Sequence, residues 1–300
     1  MYKQTYGWLP DYPDLRDKYF DTTAKNDKSY LQASDKQSIV HLIKEVENKN
    51  KSSQNNIPKV VDHLHRYFPK IEDQGDFNSC TAHAACALVD YFEKRISGEC
   101  DPKSRLFLYK ATRNLLQIKE DVGAFNRITM KAMVLFGIPP ERYWPFEKQN
   151  LNREPDAFCY AYASNFQAIQ YYRLDKYAMK PSLLIMEIKR NLTLGLPLMF
   201  GLTLYSNIEE CQHGIICYPS EKRKRIGGHA LVALGFDDHK SIVNDNGIKT
   251  TGAFHVRNCW GESWGESGYG WLPYEYIIQG MTKDWWSIIK HEWINNKLFE

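Results

Sequence analysis

The chain has 300 residues, which is enough for one large domain or for two lobes that share a cleft. Hydrophobic residues make up 43% of it and charged residues 25%, which is ordinary for a globular protein. The formal net charge of +3 is too small to predict a nucleic-acid or membrane partner. No apolar stretch at the start has signal-peptide length, so we expect a protein that is cytoplasmic in the producing cell or exported without a standard signal peptide.

Residues 1–56 differ in pattern from the rest of the chain. Residues 1–30 are rich in Asp, Pro and Tyr without a hydrophobic period, which indicates an extended arm. A helix is predicted over 38–49, where apolar residues recur at helical spacing. The polar run 48–56 is predicted to be a linker. We therefore separate an N-terminal arm, helix and linker from a main domain, residues 57–300.

Helical spacing dominates the first part of the main domain. One helix is predicted to begin at or near Cys80 and to end at Gly98. Further helices are predicted over residues 104–118, 127–137 and 181–195. Gly137 and the pair Pro139–Pro140 end the segment 127–137, while Pro181 lies near the first turn of the last helix and Gly195 follows its last turn.

The pattern then changes from helical to extended. Strands are predicted over residues 196–205, 229–236, 252–258 and 268–277. Because helices come first and strands later, the sequence predicts an α+β fold. Its helical lobe is expected mainly in residues 70–150 and its sheet lobe mainly in residues 160–280.

The seven cysteines cannot all pair within one chain, and no CxxC pair is present. A zinc knuckle is therefore not predicted, and no metal or other cofactor is expected. Most of the cysteines are expected to be free, buried thiols. The sequence leaves open whether Cys211 and Cys217 pair to close a local loop.

Cys80 lies where the unpaired N–H groups of a first helical turn stabilise a thiolate. A small buried cysteine explains that position equally well, so the argument depends on a base. His83 lies along the same helix, whereas His229 follows two glycines and begins a strand across a possible cleft. Asn258 ends a later strand and could orient His229. Trp260 could shield their hydrogen bond from water, although plain core packing also explains it.

Three stretches of sequence together resemble the papain family of cysteine peptidases, in a disulfide-poor, bacterial-type branch. They are Gln-Gly followed by Ser-Cys (74–80), Gly-His-Ala (228–230) and Asn-Cys-Trp-Gly-Glu-Ser-Trp-Gly (258–265). The resemblance covers roughly residues 57–280. The separation of Cys80 from His229 falls within the roughly 130–150 residues usual for this family.

The resemblance implies a papain-like fold with the active-site cleft between a helical lobe and an antiparallel, barrel-like sheet lobe. It implies that Cys80 is the nucleophile and that His229 is the general acid and base. Asn258 would orient His229, and Gln74 would complete the oxyanion hole with the backbone N–H of Cys80. The resemblance further implies substrate-binding roles for Gly123, Gly201, Ala230 and Trp260.

The nucleophile loop departs from the family pattern. Phe77 stands where the family has a disulfide cysteine, and Thr81 replaces the usual aromatic residue. We therefore expect packing, rather than a covalent bridge, to hold this loop.

The resemblance implies a cysteine endopeptidase, acting as a monomer on protein or peptide substrates without nucleic-acid or membrane partners. Residues 1–56 are expected to be an inhibitory prosegment that binds the cleft and is removed, or else a permanent structural arm. Two other functions stay open. The same residues could serve deamidation or acyl transfer, or the chain could be a catalytically silent papain-like binding module.

Overall fold

The computed structural model describes residues 6–14, 17–19, 43–46, 48, 57–167, 169–210, 212–244 and 246–290. Residues 43–46 and 48, which belong to the predicted helix 38–49, are helical. The rest of that helix, residues 49–56 of the predicted linker, and Cys211 lie outside the described residues. No helix of the described part is long and apolar enough to cross a membrane.

Besides the helical residues 43–46 and 48, six α-helices occur in the described part of the chain. They are α1 (Cys80–Ser97), α2 (Arg105–Leu116), α3 (Asn126–Phe136), α4 (Ala157–Ala163), α5 (Pro181–Thr193) and α6 (Glu275–Ile278). Gly98 ends α1 in the left-handed conformation that glycine tolerates (φ 82°). Ser104 caps α2 by accepting a hydrogen bond from the Phe107 backbone N–H. The predictions of helices α1, α2, α3 and α5 are confirmed with small shifts at their ends.

The strands are β1 (Trp8–Leu9), β2 (Val60–Val61), β3 (Ala124–Phe125), β4 (Gln170–Arg173), β5 (Leu198–Tyr205), β6 (Arg225–Val243), β7 (Lys249–Arg257), β8 (Tyr269–Pro273) and β9 (Thr282–Ile289). Seven of them form one antiparallel sheet in the order β4-β9-β5-β6-β7-β8, with β2 paired to β6. Strands β1 and β3 form a separate parallel pair. Helices α1 to α4 precede most of the antiparallel sheet, and α5 and α6 pack against that sheet. This arrangement confirms the predicted α+β class.

Two segments near the C-terminus differ from the sequence prediction. The strand predicted over 268–277 ends at Pro273, and α6 follows it. A short apolar run fits either a strand or a helix, so its pattern could not locate this boundary. Strand β9, which was not predicted, lies between β4 and β5 with Trp285 and Trp286 fully buried. Its aromatic residues therefore belong to the core.

Helix α1 is the element that joins the two lobes. Its residues from Cys80 to Phe92 are all buried, and it packs against β6 on one side and against α2 and α3 on the other. This contact sets the start of α1 opposite the part of β6 that carries His229.

Candidate active site

The loop before α1 is held by packing and hydrogen bonds. Phe77 packs edge-to-face on Phe146, with ring centroids 5.2 Å apart. The Asn78 backbone N–H donates to the Asp121 carboxylate at 3.1 Å, and the Asn78 side chain donates to the Asp121 carbonyl at 2.6 Å. Cys80, at the end of this loop, is an unpaired thiol. The expectation that packing replaces the disulfide is confirmed.

Gln74 is fully buried and held from three directions. Its backbone N–H donates to the Cys259 carbonyl at 2.9 Å, and its Oε1 accepts the Cys259 thiol at 2.9 Å. Its Nε2 donates to the Phe77 carbonyl at 2.6 Å. Burial raises the pKa of Cys259 well above its usual range, so the thiol keeps the proton that it donates. The amide nitrogen therefore faces the loop that leads to Cys80.

Sequence analysis missed Cys259 as a partner of Gln74. Its position directly after Asn258 was the available signal, because a neighbour of a catalytic residue lies within reach of the same site. The residue that Cys259 contacts depends on how the two lobes pack together. No local sequence pattern reveals that packing.

His229 and Asn258 are joined by a hydrogen bond of 2.8 Å between Nε2 and Oδ1. The same Oδ1 accepts the Cys259 backbone N–H at 2.8 Å, which identifies this atom as oxygen. Nε2 must therefore carry the proton, and the neutral ring has a bare Nδ1. That Nδ1 is buried without a hydrogen-bond partner. The ring of Trp260 stacks on His229 at 4.5 Å and shields the pair from water.

The Cys80 thiol lies against the chain segment that carries His229. Backbone groups of Ala230 and Gly7 lie near the sulfur and act to lower the pKa of the thiol. Burial raises the pKa of Cys80 to about 11 and lowers the pKa of His229 to about 4. Both shifts favour an uncharged thiol and an uncharged imidazole at neutral pH. The buried site therefore disfavours the charged pair that a nucleophilic cysteine needs.

His83 lies on α1 itself and not on the strand that carries His229, as its sequence position predicted. Its Nδ1 lies 3.0 Å from the Ser79 carbonyl oxygen, and its ring meets Phe146 edge-on at 5.0 Å. Burial lowers its pKa to about 3. His83 therefore helps to hold the nucleophile loop in place through Ser79 and Phe146.

The N-terminal arm lies in the cleft between the lobes. Strand β1 runs parallel to β3, and the Ala124 backbone N–H donates to the Gly7 carbonyl at 2.7 Å. Gly123 has φ +93°, and a Cβ there would lie 2.1 Å from that carbonyl oxygen. The ring of Tyr6 meets Trp260 edge-on at 6.2 Å. The arm thus crosses the site directly beside Cys80.

Trp8 fills a pocket in the sheet lobe. A Cβ on Gly201 would lie 1.8 Å from its ring, and one on Gly228 would lie 2.5 Å from its carbonyl oxygen, so only glycine leaves room. Its Nε1 donates to Asp284 Oδ2 at 3.2 Å. Of the four predicted substrate-binding residues, Gly123, Gly201 and Trp260 contact the arm, and Ala230 lies beside the nucleophile.

Charged residues anchor the arm beyond the pocket. Asp284 also accepts the Asp11 backbone N–H at 2.9 Å and pairs with Arg173 at 3.0 Å. Arg127 pairs with Asp11 at 3.0 Å and with Asp17 at 2.8 Å. Burial raises the pKa of Asp284 to about 7. These anchors were not predicted, although the acidic residues of the arm were visible in the sequence.

Comparisons with known proteins agree with this geometry. The model of the papain family of cysteine proteases matches residues 57–283. An uncharacterized peptidase C1-like protein of Acanthamoeba polyphaga mimivirus is 30% identical over 95% of this chain and 86% of its own.

Solved structures show the same fold. Xylellain, a cysteine protease from Xylella fastidiosa, has a TM-score of 0.71 and 25% identity, covering 97% of this chain and 98% of its own. Bromelain from Ananas comosus, in complex with an inhibitor, has a TM-score of 0.55 and 18% identity over 78% of this chain and all of its own (100%). The two-lobe fold is therefore papain-like, and the chain belongs to the papain family of cysteine proteases.

Proposed function

We propose that the chain is an endopeptidase that cleaves protein or peptide substrates, as a monomer, through a thioester on Cys80. The Nδ1 atom of His229 takes the thiol proton, and the thiolate sulfur bonds to the scissile carbonyl carbon. The same ring then donates its proton to the leaving amine as the C–N bond breaks. Water hydrolyses the thioester after giving a proton to His229. The observation that carries this proposal is the bare, buried Nδ1 atom of His229, held in place by Asn258.

The negative oxygen of each tetrahedral intermediate needs donors that are already in place. We assign this role to the Gln74 side chain and the backbone N–H of Cys80. The contacts of Cys259 with Gln74 support the assignment, because they fix the amide orientation without reorganisation during the reaction. Trp260 excludes water from the histidine–asparagine bond.

Residues 1–56 would act as an inhibitory segment that leaves the cleft before turnover. Gly7 occupies the space beside the nucleophile, and Trp8 fills the adjoining pocket. A substrate and the arm cannot occupy these positions together. Burial by the arm also favours the uncharged thiol, so the docked arm suppresses both substrate binding and the chemistry. A permanently docked arm is the alternative, and it would leave the protein inactive.

The test combines thiol labelling with peptide cleavage in the full chain and in Trp8→Ala, each with and without Cys80→Ala. We expect an epoxide of the type that alkylates papain-like enzymes to label Cys80, and cleavage to stop in Cys80→Ala. Labelling elsewhere, or cleavage that survives Cys80→Ala, would refute the mechanism.

The products distinguish the remaining functions. Free carboxyl groups at the cut identify hydrolysis, incorporation of an added amine identifies acyl transfer, and ammonia release without chain cleavage identifies deamidation. A labelled but inactive Trp8→Ala protein that still binds peptides would identify a binding module.

A further inference from the structure

A second cluster of reactive side chains lies outside the cleft, where the chain after β2 crosses the sheet. A Cβ on Gly235 would lie 2.4 Å from the Val61 carbonyl oxygen, so the segment approaches as closely as the sheet backbone allows. Asp62 follows immediately, and its Oδ1 lies 2.6 Å from Nδ1 of His255 on β7. His65 lies beside them, with its ring centroid 6.1 Å from that of His255.

The three side chains form a site that is fixed on one side and adjustable on the other. Asp62, His65 and His255 each offer a ligand atom, and all three atoms lie within 4.8 Å of one another. Trp271 stacks on the buried His255 ring at 4.7 Å with an interplanar angle of 10°, which fixes its orientation. Asp62 and His65 are exposed, so they can rotate and an ion can enter from solvent.

We propose that Asp62, His65 and His255 bind a divalent transition-metal ion of the zinc class, with water in the remaining position. Two imidazole nitrogens and one carboxylate oxygen suit zinc, copper or nickel, whereas calcium and magnesium prefer oxygen ligands throughout. Zinc–ligand bonds of about 2.0–2.2 Å place tetrahedral ligand atoms roughly 3.4 Å apart. The cluster reaches that geometry by small rotations of its two exposed members.

Metal binding replaces one hydrogen bond and changes the tautomer of His255. In the metal-free site a proton lies between His255 Nδ1 and Asp62 Oδ1. The ion takes that place, the ring nitrogen and the carboxylate oxygen each bond to it, and the neutral ring carries its proton on Nε2 instead. The Lys240 ammonium lies 4.6 Å from the Trp271 ring and is a positive charge near the site.

The site would anchor the segment that leads to Gln74. Arg257, on the same strand as His255, already holds this segment through the carbonyls of Pro69 and Lys70 at 2.9 and 2.7 Å. An ion on Asp62 and His65 would add a second anchor nearer the start of the main domain. The site contains no residue that we assign to catalysis, so its predicted effect is on stability.

The probe is Zn²⁺, added to the full chain carrying Cys80→Ser so that the catalytic thiol cannot bind it. Calorimetric titration should give one strong site per chain, and the unfolding temperature should rise with zinc concentration. His65→Gln should weaken binding at least tenfold. His63→Gln is the matched control, because His63 is exposed, lies two positions away and is outside the cluster. It should bind as tightly as the parent protein.

Cobalt substitution identifies the ligands independently. Co²⁺ bound to imidazole and carboxylate gives visible bands without the near-ultraviolet charge-transfer band of a thiolate. A thiolate band, equal binding in His65→Gln and the parent, or no binding at one equivalent of zinc would each overturn the proposal. His65 is exposed, so its variant is expected to fold, and circular dichroism verifies this before titration.

Discussion

Two histidine–oxygen pairs on one sheet have nearly the same distances but differ in how deeply they are buried. His229 Nε2 meets Asn258 Oδ1 at 2.8 Å, and His255 Nδ1 meets Asp62 Oδ1 at 2.6 Å. Each ring stacks on a tryptophan, at 4.5 and 4.7 Å. The first pair is deeply buried at the cleft, while the carboxylate of the second is exposed. Geometry alone therefore does not make a histidine catalytic.

The partner's charge and the depth of the site make the difference. An amide orients the His229 ring without adding a negative charge, so burial dominates and lowers the pKa to about 4. The bare Nδ1 of that ring lies at the lobe boundary where the Cys80 segment packs. The second pair has a charged partner and lies outside the cleft. A catalytic histidine here needs a neutral partner and a neighbouring thiol together.

Exchanging each histidine is the most direct way to separate the two pairs. His229→Gln should reduce kcat/KM by about 10²- to 10⁴-fold, because general acid–base catalysis contributes on that order. His255→Gln should leave activity close to that of the parent protein. Initial rates of peptide cleavage, normalised to folded protein, measure both in a Trp8→Ala background. Similar losses in the two variants would show that the assignment of His229 is wrong.

Releasing the arm tests whether burial causes the pKa difference. Trp8→Ala should weaken arm docking by about 2–4 kcal/mol, as expected for the loss of an aromatic anchor, and so raise activity by up to about 30- to 1,000-fold. With the arm seated, the raised pKa of Cys80, about 11, leaves little thiolate at pH 7. Water entry should lower that pKa, and iodoacetamide should then alkylate the thiol faster at neutral pH.

Tyr12→Ala is the matched control for the arm. Tyr12 lies on the same arm with 75% of its surface exposed. Its removal should therefore change neither the rate of peptide cleavage nor the rate of alkylation by iodoacetamide. If cleavage and alkylation became equally faster in both variants, the cause would be a general weakening of arm docking and not the loss of the Trp8 side chain from its pocket.

Asn258→Asp would make the cleft pair resemble the surface pair. A carboxylate stabilises the imidazolium, so the pKa of His229 should rise from about 4. The acidic limb of the kcat/KM profile, where the imidazole base becomes protonated, should therefore shift to higher pH. Asn258→Ala should instead lower kcat/KM by about tenfold without that shift, since one buried hydrogen bond is worth on the order of 1–3 kcal/mol. An unshifted acidic limb in Asn258→Asp would contradict the orienting role.

The smallest effect is expected at the surface pair. Burial acts to raise the pKa of Asp62, but the hydrogen bond and charge of His255 outweigh it, and the pKa is lowered overall. The pair therefore stabilises the fold above the unfolded-state pKa of about 3.9, and this contribution is lost as pH falls through the folded-state pKa. Because the Asp62 carboxylate is 44% exposed, screening limits its contribution to less than about 1 kcal/mol.

Urea unfolding of Asp62→Asn in the presence of EDTA measures that contribution. The variant should be slightly less stable than the parent at pH 7 and equally stable near pH 2, where the carboxyl is protonated in both states. A difference that persists at low pH would assign the effect to packing instead of charge.

The sequence alone predicted four residues of the candidate site, because each carries a local signal. Cys80 begins a helix, and Gln74 precedes it by one loop. His229 follows two glycines before an apolar run, and Asn258 follows a strand with distinctive neighbours. The structure places His229 inside β6, whereas the sequence had predicted it at the start of the strand. The helices that flank the nucleophile were equally predictable, since apolar spacing and terminal glycines depend on neighbouring residues only.

Tertiary structure decided which groups meet. Trp8 and Asp284 are 276 positions apart, and Cys259 reaches Gln74 across 185 positions, so no local pattern records either contact. The same holds for β9, because only the fold shows that its aromatic residues lie between β4 and β5. Sequence determined the chemical groups and local elements because backbone and side-chain preferences act over a few residues. Their roles depended on burial and on opposing charges, which exist only once distant segments are packed together.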